Sequence, residues 1–239
     1  MNNYKILDWD TDFLGYKVAS IENGCVTQND FHKIYDELIQ LNVKLIYWAS
    51  DSDCAHQKAI SIEKNGLLVD IKTTYELKLN ASNLTTPLSE INLYRNKEAS
   101  EELLSIAVQC GEYSRFKIDP KITHQKFAEL YRTWMIKSVQ GSMADDVIIH
   151  KEDNEIKGVL TVYIENNVGN IGLVGVDEFS RGKGIGGKLM KAALSYFMHK
   201  GCERVQVVTQ GKNEAACILY EKHGFNVSNK VNLYHFWLD

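Results

Sequence analysis

Residues 181–188 read RGKGIGGK, with glycine at 182, 184, 186 and 187. The stretch before them, GNIGLVGV at 169–176, has the composition of a strand. After them apolar residues recur at Ile185, Leu189, Ala193 and Phe197, the spacing of a helix face. A strand, a glycine turn and a helix in that order leave unpaired backbone N–H groups at the helix start, where they can hold an anion such as a pyrophosphate. The spacing is not that of a nucleotide P-loop, because GxxxxGK[ST] is absent. It is not that of a dinucleotide fold either, because the glycines fall as GxGxGG rather than GxGxxG. Taken by itself, the loop also reads as an ordinary glycine-rich turn.

Downstream, ERVQVVTQ reads as a strand, residues 213–223 as a helix and the remainder as a closing hairpin. In NEAACILYEKHGF at 213–225, Tyr220 follows Asn213 by seven residues, two helical turns along nearly the same face. From there a phenol can face whatever the glycine loop binds; alone, it reads as a packing aromatic. Upstream, DVIIHK, then IKGVLTVYIE after an Asp153-Asn154 turn, then GNIGLVGV read as three strands. Helices over 98–110 and 123–140 bracket the loop GEYSRFKIDPK, and INLYR precedes them as a strand.

Before INLYR the periodicity stops in SNLTTPLSE, which sets a domain boundary near Thr86 and two domains, 1–86 and 87–239. The first half has its own helix over 31–41, a strand VKLIYWAS and a helix over about 54–64 closed by a left-handed Gly66. Two short strands within 67–79 follow. EKNGL at 63–67 echoes EKHGF at 221–225, which suggests two related α/β modules, of which only the second has the glycine loop.

The 239 residues are 44% hydrophobic and 24% charged, enough for one generous core or two small ones. A net charge of −4 without a basic run excludes the footprint of a nucleic-acid binder. No apolar run approaches the roughly 20 residues that span a bilayer, and the acidic, aromatic start MNNYKILDWDTDF is no export signal. The five cysteines (Cys25, Cys54, Cys110, Cys202, Cys217) are scattered and read as reduced, buried thiols of a cytoplasmic protein. Each histidine stands apart from other ligand types, His199 and His223 included, so no metal is expected.

RxxGxG after a strand, followed about thirty residues later by NxxAxxxYEKxGF, resembles the GNAT acyltransferases. The resemblance implies a GNAT fold in the C-terminal part, a mixed and mostly antiparallel sheet with a splayed central strand flanked by helices. A smaller, degenerate GNAT-like α/β module would precede it. It implies acyl-CoA (acetyl-CoA or a larger acyl-CoA) as cosubstrate, with no metal. Val174 and Val176 would meet the pantetheine arm, and the loop Arg181, Gly182, Lys183, Gly184, Ile185, Gly186 and Gly187 the pyrophosphate. Asn213 would meet the pantetheine, and Tyr220 would protonate the departing thiolate. The proline frequent after that strand is replaced here, in VDEFSRG.

DWDTDFLGYKVASI, YSRFKID and KFAELYRTWMIKSVQG are further similar to dTDP-amino-sugar N-acyltransferases. This likeness implies a nucleotide-linked amino-dideoxy sugar as acceptor, bound by Tyr113, Arg115 and Phe116 with Arg115 on its phosphate, and a homodimer. YSRF alone reads as a solvated loop. Ile62 stands where the repeat would have Tyr220, so the first module is not expected to bind CoA. Transfer to a peptide, polyamine or antibiotic amine, or acyl-CoA binding without catalysis, stays open from the residues alone. No general base is apparent: Asp177 and Glu178 lie just past the strand, facing solvent, and the amine of an amino sugar can lose its proton to water.

Overall fold

The computed structural model describes residues 3–22, 24–83 and 89–238. The boundary expected near Thr86 lies outside them. Ten strands among the described residues form one sheet: β1 (Tyr4–Ile6), β2 (Val18–Ile21), β3 (Leu45–Asp51), β4 (Leu67–Lys78), β5 (Ile91–Leu93), β6 (Asp146–Glu152), β7 (Glu155–Glu165), β8 (Val168–Val176), β9 (Arg204–Gln210) and β10 (Asn226–Trp237). Their order is β1-β2-β3-β10-β4-β9-β8-β7-β6-β5. Neighbours are antiparallel except β2 with β3 and β8 with β9.

Eight α-helices among the described residues pack on this sheet: α1 (Asp8–Leu14), α2 (Gln28–Gln40), α3 (Gln57–Glu63), α4 (Glu101–Cys110), α5 (Arg115–Ile118), α6 (His124–Val139), α7 (Ile185–His199) and α8 (Glu214–Lys222). The apolar clusters put α2, α3, α7 and α8 on one face and α1, α4, α5 and α6 on the other. Local chemistry explains the element ends. Thr27, Ser100 and Thr123 cap α2, α4 and α6 by accepting a hydrogen bond from the third backbone N–H onward. Asp153 and Asn154, and again Asn166 and Asn167, both take positive φ, which a tight two-residue hairpin requires.

Several expectations change. The stretch 67–79 is a single strand, β4, because nothing in it turns. The left-handed position before it is Asn65 (φ 51°), not Gly66. Gly66 is needed for a different reason: a Cβ there would run into the Phe236 ring. The closing hairpin is also one strand, β10, laid between β3 and β4. It carries a bulge between Val227 and Asn229, where the Ser228 hydroxyl donates to the Thr74 carbonyl. Residues 115–118 of the expected loop form the short α5. Cys25 and Cys54 are not reduced thiols but a disulfide, their Cα atoms 5.3 Å apart. That pairing needs the segments before α2 and after β3 to meet, which no local spacing reveals. Cys110, Cys202 and Cys217 are free.

One irregularity positions the site. β8 pairs with β9 from Val168 opposite Arg204 to Ile171 opposite Val207 and then parts from it. β8 continues along β7 as far as Val176 opposite Gly158, while β9 continues along β4 as far as Gln210 opposite Lys72. The sheet therefore splits between residues 172–176 and 208–210.

Candidate functional site

The split opens beside the start of α7. Val174 and Val176 lie on β8 beyond the point of parting. Gly182 and Gly184 both have φ 79°, a conformation that strains any residue with a Cβ, and Gly184 is the N-cap of α7. No side chain caps this helix, so the amides of its first turn have no partner of that kind. Ile185, 1% exposed, anchors the turn in the core beneath the exposed 181–184 loop. Gly186 and Gly187 face Leu219 of α8 and His223, its C-cap, where a Cβ would stand 3.5 and 3.6 Å from them.

Arg181 does not point into the loop. Its Nε donates to the Val176 carbonyl (3.2 Å) and its Nη2 to Gln109 Oε1 (3.2 Å), which also accepts from the Glu178 N–H (2.9 Å). The arginine thus ties the end of β8 to α4. In place of the expected proline, Asp177 caps a short turn at 178–180 by accepting from the Phe179 N–H. Lys183 is exposed.

Asn213 is the N-cap of α8, its Oδ1 accepting from the Ala216 N–H (3.2 Å), which leaves its Nδ2 available. Tyr220 is 3% exposed, its ring 5.6 Å from that of Tyr75 and 6.0 Å from that of Phe225. Its hydroxyl has no hydrogen-bond partner among the described residues. Burial, reinforced by Cys110 and Cys217, raises the phenol well above its usual range and keeps it protonated. Cys110 belongs to α4 on the opposite face, so its influence reaches Tyr220 through the split. Gly175 lets α4 come this close, since a Cβ there would lie 2.5 Å from Cys110 Sγ.

On the α4 face, Arg115 of α5 lies 4.0 Å from the Tyr47 ring centroid and 4.7 Å from that of Phe116. No carboxylate pairs with it among the described residues. Tyr47 stacks on His235 (4.7 Å), whose Nδ1 donates to Asp119 Oδ2 (2.6 Å), a carboxylate also met by Trp237 Nε1 (2.9 Å). Burial brings His235 down to about 4, so the ring is neutral, and its buried Nε2 has no partner among the described residues. Tyr113 is 43% exposed.

Sequence reasoning missed Asp119, His235, Tyr47 and Asp70, another carboxylate on this face. All but Asp119 belong to strands of the sheet, spread over β3, β4 and β10, with no shared motif. Among the described residues no group of three or more His, Cys, Asp or Glu is placed to hold a metal.

A split sheet with a glycine-cornered helix start at its mouth is what the GNAT resemblance implies, and the family comparison matches the C-terminal part. Residues 110–225 match the acetyltransferase (GNAT) family. The mycothiol acetyltransferase of Corynebacterium aurimucosum is 34% identical over 62 residues, 26% of this chain and 20% of that protein. The match thus spans about a fifth of that curated relative's length. Among solved structures, a GCN5-related N-acetyltransferase from Sphaerobacter thermophilus superposes with a TM-score of 0.60 at 14% identity, over 97% of this chain and 75% of that one. A conserved protein of unknown function from Staphylococcus epidermidis does so with a TM-score of 0.68 at 11% identity, over 100% and 92%. The chain has the GNAT fold, an α/β sheet flanked by helices.

Proposed function

We propose that the chain is an acyl-CoA-dependent N-acyltransferase that moves an acetyl or larger acyl group onto the amine of a nucleotide-linked amino-dideoxy sugar in the cytoplasm. The observation that carries the reading is the conjunction at the split: uncapped amides at the glycine start of α7, unpaired strand backbone on β8, and a buried phenol without a partner. These fit a long thioester with a pyrophosphate at one end. Amides of 182–187, with Lys183, hold the anion while Arg181 braces the loop. Backbone groups of Val174 and Val176 and the Asn213 amide meet the pantetheine, and β8 amides stabilise the charge that develops on the thioester oxygen. Tyr220 gives its proton to the departing sulfur.

On the far side of the split, Arg115 suits a phosphate because its guanidinium offers paired donors and has no carboxylate of its own. Phe116 and Tyr113 complete that side of the acceptor site. In this reading residues 1–86 form the module without a glycine loop and 87–239 the catalytic one, joined through the shared sheet, and two copies form a homodimer. The cytoplasmic assignment rests on the supply of acyl-CoA. The cysteines no longer support it.

The test is product mass after incubating purified protein with a panel of acyl-CoAs and dTDP-amino sugars. A second reading is favoured by the name of the curated relatives: an acceptor related to mycothiol, which belongs in the same panel. Acylation of that acceptor, with none of the sugar nucleotides, replaces the sugar assignment while keeping the transferase.

A further inference from the structure

We infer that Asp70 of β4 is the proton acceptor for the incoming amine, a role that rests on the transferase reading above. Asp70 stands opposite Leu233 of β10, and the last β4–β9 pair, Lys72 with Gln210, lies just two residues on. Immediately past that pair the Gly211 N–H donates to the Ile71 carbonyl (2.8 Å). Asp70 therefore sits where β9 ends, at the edge of the split. By strand register it shares the face of Tyr47, His235 and α5, opposite the face that carries the glycine loop and Tyr220. An acceptor entering from the α5 side passes it before reaching a thioester in the split.

The surroundings suit a base. The charged and titratable groups around it are Arg115 on α5, Lys72 on β4 itself and Tyr131 on α6, and the Ile71 and Gly211 N–H groups favour its charged form. None of the side chains forms an ion pair with it. Burial dominates and lifts the carboxyl to about 6, partly opposed by those N–H groups, Arg115 and Lys72. A carboxylate with a pKa near working pH is the compromise general-base catalysis favours. Its position explains why no base was found near the glycine loop: the residue comes from the module that lacks the loop.

The protons balance as follows. Asp70 takes one proton from the acceptor ammonium and passes it to water. The neutral nitrogen then forms the C–N bond as the C–S bond breaks, and Tyr220 protonates the sulfur. The second nitrogen proton, released through solvent, restores Tyr220.

The test compares Asp70→Asn with wild type on two acceptors, the best amine from the panel and hydroxylamine, whose nitrogen is already neutral at the assay pH. Circular dichroism and acyl-CoA titration calorimetry on both proteins establish an intact fold and thioester site. Transfer to the protonated amine should fall by about 10² to 10⁴, and transfer to hydroxylamine by less than about three-fold. The acid limb of the wild-type kcat/KM profile, centred on about 6, should vanish in the variant. Asp70→Glu should recover part of the rate. Equal losses on both acceptors, or an unchanged pH profile, overturn the assignment while leaving the transferase reading intact. Wild type that binds acyl-CoA yet acylates no acceptor overturns both. If Asp70→Asn does not fold, the same pH profile and acceptor comparison on Asp70→Ser decide.

Discussion

Replacing Tyr220 by Phe removes one oxygen from a site where the structure gives it no protein partner. The ring stays packed between Tyr75 and Phe225, and no hydrogen bond is broken, so the stability of the fold and the acyl-CoA dissociation constant should hardly change. The chemical step should slow by about 10² to 10⁴, the usual value of a positioned acid, or about 3 to 5 kcal/mol of transition-state stabilisation at 1.36 kcal/mol per decade. Tyr75→Phe is the control with the opposite profile. Its hydroxyl donates to Glu221 (2.9 Å), so its loss should cost about 0.5 to 1.5 kcal/mol of stability and leave the chemical step within a few-fold. Because burial raises the Tyr220 phenol, wild type should show no alkaline loss of rate from this group between about pH 7 and 10. The assay is a single-turnover measurement with saturating acyl-CoA, rate against pH, beside thermal unfolding. Single-turnover rates for Tyr220→Phe equal to wild type across the pH range would refute the reasoning and leave Tyr220 a packing aromatic.

Gly184→Val should lower acyl-CoA affinity at least about ten-fold, because at φ 79° a β-branched residue strains the backbone whose amides begin α7, whereas a Cβ there meets nothing within 4 Å, so circular dichroism should stay native. Arg115→Ala should raise the acceptor KM far more than that of acyl-CoA; equal effects on both count against phosphate pairing. His235 binds protons less readily when folded, at about 4 against about 6.5 unfolded, so between these values the unfolded chain holds more protons and stability is lost as pH falls, by about 3 kcal/mol in all. Asp119, held below its usual value because the hydrogen bonds from His235, Lys121 and Trp237 outweigh burial, adds to the loss as pH falls further. Thermal unfolding of His235→Phe should therefore depend less on pH than that of wild type from about pH 6.5 to 4. Asp70 works in the opposite sense. Its folded value is raised, so its penalty grows from about pH 4 to 6, and Asp70→Asn should unfold at a higher temperature than wild type at pH 8. Reducing the Cys25–Cys54 disulfide, which closes a separation of 29 residues, should cost about 2 to 4 kcal/mol in a denaturant titration.

RGKGIGGK, the strand before it and the helix after it were legible because their signals are local: glycines where φ is positive, an apolar stripe at helical spacing, an N-cap asparagine leading to a tyrosine two turns on. The helices were legible for the same reason, since capping and periodicity act within a few residues. The parting of β8 from β9 was implied only through resemblance, as hydrogen bonding between strands is set by partners more than thirty residues apart. The remainder read as a closing hairpin is instead one strand, β10, with a bulge between Val227 and Asn229. The sheet decides this by offering β10 two open edges, on β3 and β4. The disulfide and the Asp119–His235 contact, 116 residues apart, exist only once the sheet is assembled. Asp70 is an unremarkable strand residue until the fold brings it to the end of β9 and half-buries it there. Burial and the approach of distant charges, which set what a carboxylate, imidazole or phenol can do, are properties of the packed chain and are written in no single stretch of it.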